Sequence, residues 1–399
     1  MRTSPGATAR RLLGHLIQGG PAHRAGLSRA LGVSRTTITN LVADLTESGA
    51  LLTLERADGS PSPADPDRPT LKQPVGLAPE RGVLVSVVFR MTSVAVDVGT
   101  LDGRLLAASH AEFPREELGA ERLERAHALL REVLQECGIP LERILRLHLA
   151  VNTQCDRISG EVLSEEAAGP WRGTNPKQIA AAWSPAEVIV ENTARLSGLA
   201  EYHALGEPRP RSLVYVHLSW GVTMGQVVDG EIVPGSHGGA GELGHVSIDP
   251  MGLPCACANR GCLMLYAGLD AVTERIRATL GEEATFTDAI EAVAQGSHAC
   301  ATILEDTGET VGRALAMVCN VVDPDAIVLG GDLALAGPVF GDAVHTAVRR
   351  RALPLVTRRL ELSLATTRED PHATGRAALA AMRSDTALVQ ELVDAVLEG

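Results

Sequence analysis

Residues 241–262 read GELGHVSIDPMGLPCACANRGC. Within them His245 is followed by Cys255, Cys257 and Cys262. One imidazole and three thiolates form a Cys₃His set. A borderline-soft cation prefers such donors to water, so the set suits a tetrahedral zinc ion. Gly252, Pro254 and Gly261 are turn formers that can fold the chain between the ligands back on one ion. All four positions are protein side chains and leave no open coordination site, so the expected zinc is structural rather than catalytic. The other reading of these residues is a group of reduced, buried cysteines acting as small hydrophobes.

GELGH followed by C-x-C-x-x-x-G-C resembles the signature of the ROK family (repressors, open reading frames, sugar kinases). That family usually carries C-x-C-G-x-x-G-C, and Ala258 stands here for the first glycine. The resemblance implies that Glu242 and His245 touch a bound sugar and that His245 also ligates zinc with Cys255, Cys257 and Cys262. It extends over nearly the whole chain. It implies an α/β body of the actin-like ATPase type, with two lobes that each hold a mixed sheet and helices.

The chain has 399 residues, too many for one ordinary domain. Apolar residues make up 45% and aromatics only 3%, so the core must be built from Leu, Val and Ala. An odd count of seven cysteines, three in one cluster, fits a reducing compartment. No secretory signal or membrane-length apolar run is present, so a cytoplasmic protein is expected. Net charge is −13, which alone argues against nucleic acid. Its distribution argues the other way. Residues 1–43 hold six Arg and no Asp or Glu, a basic head on an acidic body.

The head, residues 1–77, reads as a winged helix-turn-helix. Leu12, Leu13, Leu16 and Ile17 make a helical stripe that Gly19–Gly20–Pro21 stops. A short helix over 24–31 leads to Gly32, which permits a tight turn. Ser34 is placed to cap a helix over 35–47 that buries Ile38, Leu41, Val42 and Leu45. Ser34, Arg35, Thr36, Thr37, Thr39 and Asn40 then form the candidate DNA-reading set. Short polar side chains admit close approach, Asn pairs bidentately with adenine, and Arg grips guanine or phosphate. Segments 51–54 and 70–77 are the candidate wing strands. The Pro-rich stretch 57–69 between them reads as a loop.

From 78 to 399, three short strands (82–90, 93–99, 104–111) precede alternating helices and strands, with Asp102–Gly103 as a hairpin signal. Whether this body transfers phosphate depends on three motifs of ROK kinases, which it only partly resembles. Where those kinases have Asp-x-Gly-Gly-Thr, this chain has Val87–Thr92, without Asp or Gly. Their Gly-rich turn is Ser219–Gly225 here, with two glycines left. Their E-N-D-A is Glu191–Ala194, where Thr193 replaces the Asp that would take the hydroxyl proton. No catalytic residue is therefore assigned. Segment 320–331 resembles the family's strand with paired glycines near the adenosine, and the preferred reading is a buried strand and tight turn.

Asn192, Glu242 and His245 match the family's sugar-contacting positions and are the candidate effector set. Met264 replaces a family Glu, and Asn152–Thr153 replaces a Pro-Gly turn. The expected protein is a DNA-binding regulator, by resemblance a repressor of carbohydrate-related genes. It would bind a double-stranded operator and a carbohydrate-type effector, without a membrane partner, as a homodimer or homotetramer. Two alternatives stay open: a sugar kinase carrying a DNA-binding head, and a regulator whose body takes no ligand. The terminal stripe Leu388–Leu397 must pack on the body or on a partner subunit.

Overall fold

A computed structural model describes residues 6–55, 73–162, 169–367 and 370–398. The Pro-rich stretch 57–69 and the start of the second wing segment, 70–72, lie outside them. The chain forms two compact units. One comprises Met1–Ala150, Asn175–Val190 and Gly375–Gly399, and the other Val151–Thr174 and Glu191–Thr374.

In the first unit, helices α1 (Ala7–Gly19), α2 (Arg24–Leu31) and α3 (Arg35–Glu47) precede two strands. Strand β1 (Leu51–Thr53) pairs antiparallel with β2 (Val75–Leu77), Leu51 opposite Leu77. Leu12, Leu13, Leu16, Ile17, Leu27 and Ile38 are fully buried. Leu41, expected inside, is only half-buried at the edge of this cluster. Strands β3 (Val83–Phe89), β4 (Ser93–Thr100) and β5 (Leu105–Glu112) form an antiparallel meander. Helix α4 (Gly119–Cys137) leads to β6 (Ile144–Val151), which runs parallel to β3. After α5 (Pro176–Ala180), β7 (Glu187–Asn192) completes a sheet of order β5-β4-β3-β6-β7.

The second unit continues with α6 (Thr193–Ala204), β8 (Ser212–Leu218), β9 (Val222–Val228) and β10 (Glu231–Ile232). Helices α7 (Met264–Ala267), α8 (Leu269–Leu280), α9 (Phe286–Ala294) and α10 (His298–Val322) precede β11 (Ala326–Gly330), α11 (Pro338–Arg351), α12 (Pro354–Thr357) and β12 (Glu361–Leu364). Its sheet order is β10-β9-β8-β11-β12. The two sheets share one plan. A central strand begins each, its hairpin partners lie to one side, and a parallel crossover strand lies to the other. No sequence repeat announces this shared plan, because a β-meander needs only apolar strands and turn residues.

The last helices return to the first unit. Helix α13 (Ala373–Ser384) supplies Leu379 and Met382, and α14 (Thr386–Glu398) supplies Leu388, Val389, Leu392, Val393 and Val396. These side chains join the core of α1–α3. Val389 and Val393 approach α1 at Gly14, where the absence of a side chain makes room. The terminal stripe therefore packs on its own head.

Candidate nucleic-acid interface, metal centre and effector site

Helix α3 begins and ends where its sequence pattern sets it. Gly32 closes α2 with φ 67°, a left-handed conformation that costs glycine little. Ser34 has extended backbone, and its Oγ accepts from the N–H of Thr37 at 3.1 Å. The hydroxyls of Ser34 and Thr37 lie 2.8 Å apart. Ser34, Arg35, Thr36, Thr37 and Asn40 are exposed. Thr39 is half-exposed, and its hydroxyl donates to the Arg35 carbonyl at 2.9 Å. The opposite face, Ile38, Val42 and Leu45, is buried. The six candidate reading residues thus occupy the solvent side of one capped helix.

In the second unit, Gly241 and Gly244 seat the GELGH segment on β9. The N–H of Met224 donates to the Gly241 carbonyl at 2.7 Å. A methyl group at Gly244 would overlap the Val222 carbonyl. His245 ends the short turn Leu243–His245, and Cys255–Asn259 makes a second turn closed by Cys255 N–H to Asn259 O at 2.8 Å. The donor atoms of His245, Cys255, Cys257 and Cys262 all lie within 4.8 Å of one another. His245 Nδ1 is 3.7 Å from Cys255 Sγ, and Cys257 Sγ is 3.6 Å from Cys262 Sγ. A tetrahedron with zinc–sulfur and zinc–nitrogen bonds of ordinary length has edges of about 3.5–3.8 Å. The Cys257 thiol is held down at about 7, chiefly by the backbone N–H of Asn259. Burial pushes Cys262 up to about 12. Such a buried thiol keeps its proton unless a cation replaces it, which is what a thiolate-binding metal does. The cluster is able to bind a metal ion.

Ala258 adopts φ 65° between the cysteines, where the family pattern has glycine. A side chain in that conformation costs about 1–2 kcal/mol, so the turn is held against local preference.

The three candidate effector residues all fall in the second unit. Glu242 and His245 share one turn. Asn192 caps α6 by accepting the Ala194 N–H at 2.8 Å, and its Nδ2 donates to the Thr153 carbonyl at 3.3 Å. Gln154 Nε2 donates to Glu242 Oε2 at 3.0 Å. Segment 152–154 therefore joins Asn192 to Glu242. It is braced from behind by Trp171 Nε1, which donates to Asn152 Oδ1 at 2.9 Å. Burial raises the pKa of Glu242, and Gln154, His245 and Arg195 partly oppose the shift.

Sequence reasoning missed Gln154 and Arg195. Arg195 is fully buried on α6. Its Nε meets Glu191 Oε1 at 2.6 Å, and its two terminal nitrogens donate to the carbonyls of Ala240 (2.6 Å) and Gly238 (2.8 Å). Arg157 Nε lies 3.1 Å from the other Glu191 oxygen. The i, i+4 spacing of Glu191 and Arg195 was the available signal. The carbonyl partners lay too far along the chain to read. Thr193 opens α6 and is buried, and Met264 opens α7. The Ser219 hydroxyl is hydrogen-bonded to the Asp332 carboxylate, so a carboxylate stands at the shortened Gly-rich turn.

The model of the ROK family matches residues 92–383. The xylose repressor of Bacillus spizizenii is 22% identical over 88% of this chain and 88% of its own length. The N-acetylmannosamine kinase of Citrobacter koseri is 32% identical over 48% of this chain and 64% of its own. Among solved structures, a ROK family transcriptional regulator homologous to the Mlc protein of E. coli superposes with TM-score 0.72 at 24% identity, covering 98% of both chains. A ROK hexokinase from Thermus thermophilus superposes with TM-score 0.63 at 25% identity, covering 75% of this chain and 97% of its own. With the family model matching most of its length, this chain belongs to the ROK family.

Proposed function

We propose that the chain is a DNA-binding transcriptional repressor of carbohydrate-related genes, with residues 1–77 as reading domain and 78–399 as a non-catalytic sensing and assembly body. The observation that carries this is α3, a capped helix whose outer row is Arg35, Thr36, Thr37, Thr39 and Asn40, on a head without acids before Asp44. The regulator structure covers 98% of the chain, whereas the hexokinase covers 75% of it. That difference supports the same reading.

Absence of catalysis is supported by Thr193, which offers no carboxylate base, and by Asp332 beside the Gly-rich turn, where a second negative charge repels phosphate. A structural zinc ion on His245, Cys255, Cys257 and Cys262 would tie the Glu242–His245 turn to the loop that follows. A neutral or lightly polar sugar derivative would meet Glu242, Gln154 and the remaining Asn192 donor. The protein would act in the cytoplasm; no helix among the described residues is long and apolar enough to cross a membrane. Assembly as a dimer or tetramer would present paired heads to a palindromic operator.

The test is selection of duplexes from a random pool by the full chain, followed by affinity measurement. Asn40→Ala should relax base preference at one position by about 1–3 kcal/mol, and Arg35→Ala should weaken binding generally. Equal affinity and specificity of wild type and both variants would remove the reading helix from the interface. Turnover of ATP with any member of a hexose panel would restore the kinase alternative.

A further inference from the structure

The turn between β4 and β5 does more than reverse the chain. Asp102 is fully buried there. Its Oδ2 accepts the N–H of Leu77 at 2.6 Å, and its Oδ1 accepts Arg104 Nε at 3.0 Å and the Thr100 hydroxyl. A terminal nitrogen of Arg104 donates to the Leu77 carbonyl at 2.5 Å. Both outward main-chain groups of the last β2 residue are thus bound by one carboxylate–guanidinium pair, which acts as a substitute strand. Two residues earlier, Val75 exchanges both of its groups with Ala22. A methyl group at Gly76 would overlap Asp102 Oδ2. A methyl at Gly103, whose φ is 88°, would overlap the Arg383 guanidinium. Arg383, on α13, donates from Nε to the Ile17 carbonyl at 2.7 Å and from a terminal nitrogen to Gln18 at 3.4 Å, at the C-terminal end of α1. The turn therefore meets β2 and α13 directly and α1 through Arg383, all inside the first unit.

We propose that Asp102, with Arg104 and Arg383, forms a positioning cluster for DNA binding that fixes the reading head on the β3–β7 sheet. This rests on the DNA-binding reading above. The head then moves as one body with that sheet instead of swinging on a linker. A swinging head would lose orientational freedom on binding, and a fixed head has lost it beforehand. None of the three residues lies on α3, so the cluster acts through the pose of the head and not through contact with DNA.

The experiment uses the full chain and the duplex that wild type selects from a random pool. Asp102→Asn and Arg383→Gln should each weaken binding about tenfold, with Arg383→Lys recovering part of the loss. The slope of log affinity against log salt should stay unchanged, since no phosphate contact is removed. Amide exchange should accelerate at Leu77 while Leu12–Ile17 stay protected. Wild-type affinity in both variants overturns the proposal, as does a loss that coincides with unprotected α1 amides, which would mean only an unfolded head. If Asp102→Asn fails to fold, Arg383→Gln and Arg104→Lys decide by the same measurements. Failure of the DNA-binding reading is distinguishable, because wild type then selects no duplex and Arg35→Ala is equally silent.

Discussion

The metal-ligand loop and the Asp102 turn are both short, glycine-bearing bends, yet their order comes from opposite sources. The loop draws its four donors from residues 245–262, one continuous stretch. The turn bonds Leu77 and lies against Arg383, which in turn donates to the Ile17 carbonyl. On the proposed zinc reading, a loop organised by its own ligands would depend on one ion. A turn organised by remote segments depends on the assembly around it. The Arg195 network stands between the two, with one partner four residues away and two more than forty residues away.

That contrast is tested most severely at the metal. Cys257→Ser should abolish bound zinc, measured by elemental analysis against about one ion per chain in wild type. Limited proteolysis should then cut between 246 and 261, because the binding free energy of such an ion is also the folding free energy of its loop. A variant that holds zinc and resists cleavage as wild type does would end the comparison. Next comes the intermediate case. Arg195→Met strands the buried Glu191 carboxylate opposite a single partly exposed arginine, and should cost about 3–5 kcal/mol in denaturant unfolding. Adding Glu191→Gln should recover much of that loss. A cost below about 1 kcal/mol would mean that the ion pair is solvated and does not hold the 238–240 segment. The smallest effect should be a gain. Ala258→Gly relieves the left-handed strain and should stabilise the zinc-bound loop by about 1 kcal/mol, read as roughly fivefold tighter zinc binding in chelator competition. Weaker binding would show that the Ala258 methyl makes a contact worth more than its strain.

How far each region could be read follows the same division. The bounds of α2 and α3 coincide with those drawn from spacing and caps, since Gly32 and Ser34 act on their immediate neighbours. The grouping of His245 with Cys255, Cys257 and Cys262 was legible for the same reason. Strand β7 runs directly into α6, so that Asn192 is a helix cap as well as a candidate effector contact. Leu41 sits at the right helical phase but lies at the rim of the core. Periodicity gives the face of a helix and not how far the neighbouring elements extend over it. Gln154 carried no pattern at all. Its significance is a single hydrogen bond to a residue far along the chain.

By itself the sequence determined the local order: a capped helix with a polar outer row, and a four-donor His/Cys set able to hold a metal ion. These follow from residue type and spacing over one or two turns of chain, within which side chains meet whatever the rest does. Only the tertiary structure decided that the terminal helix packs on the head and that Arg195 braces the segment leading to Glu242. It alone made a hairpin aspartate the anchor of the wing. Those are contacts between segments hundreds of residues apart in some cases, and hydrogen bonding and burial select such pairs only after the chain has been brought together.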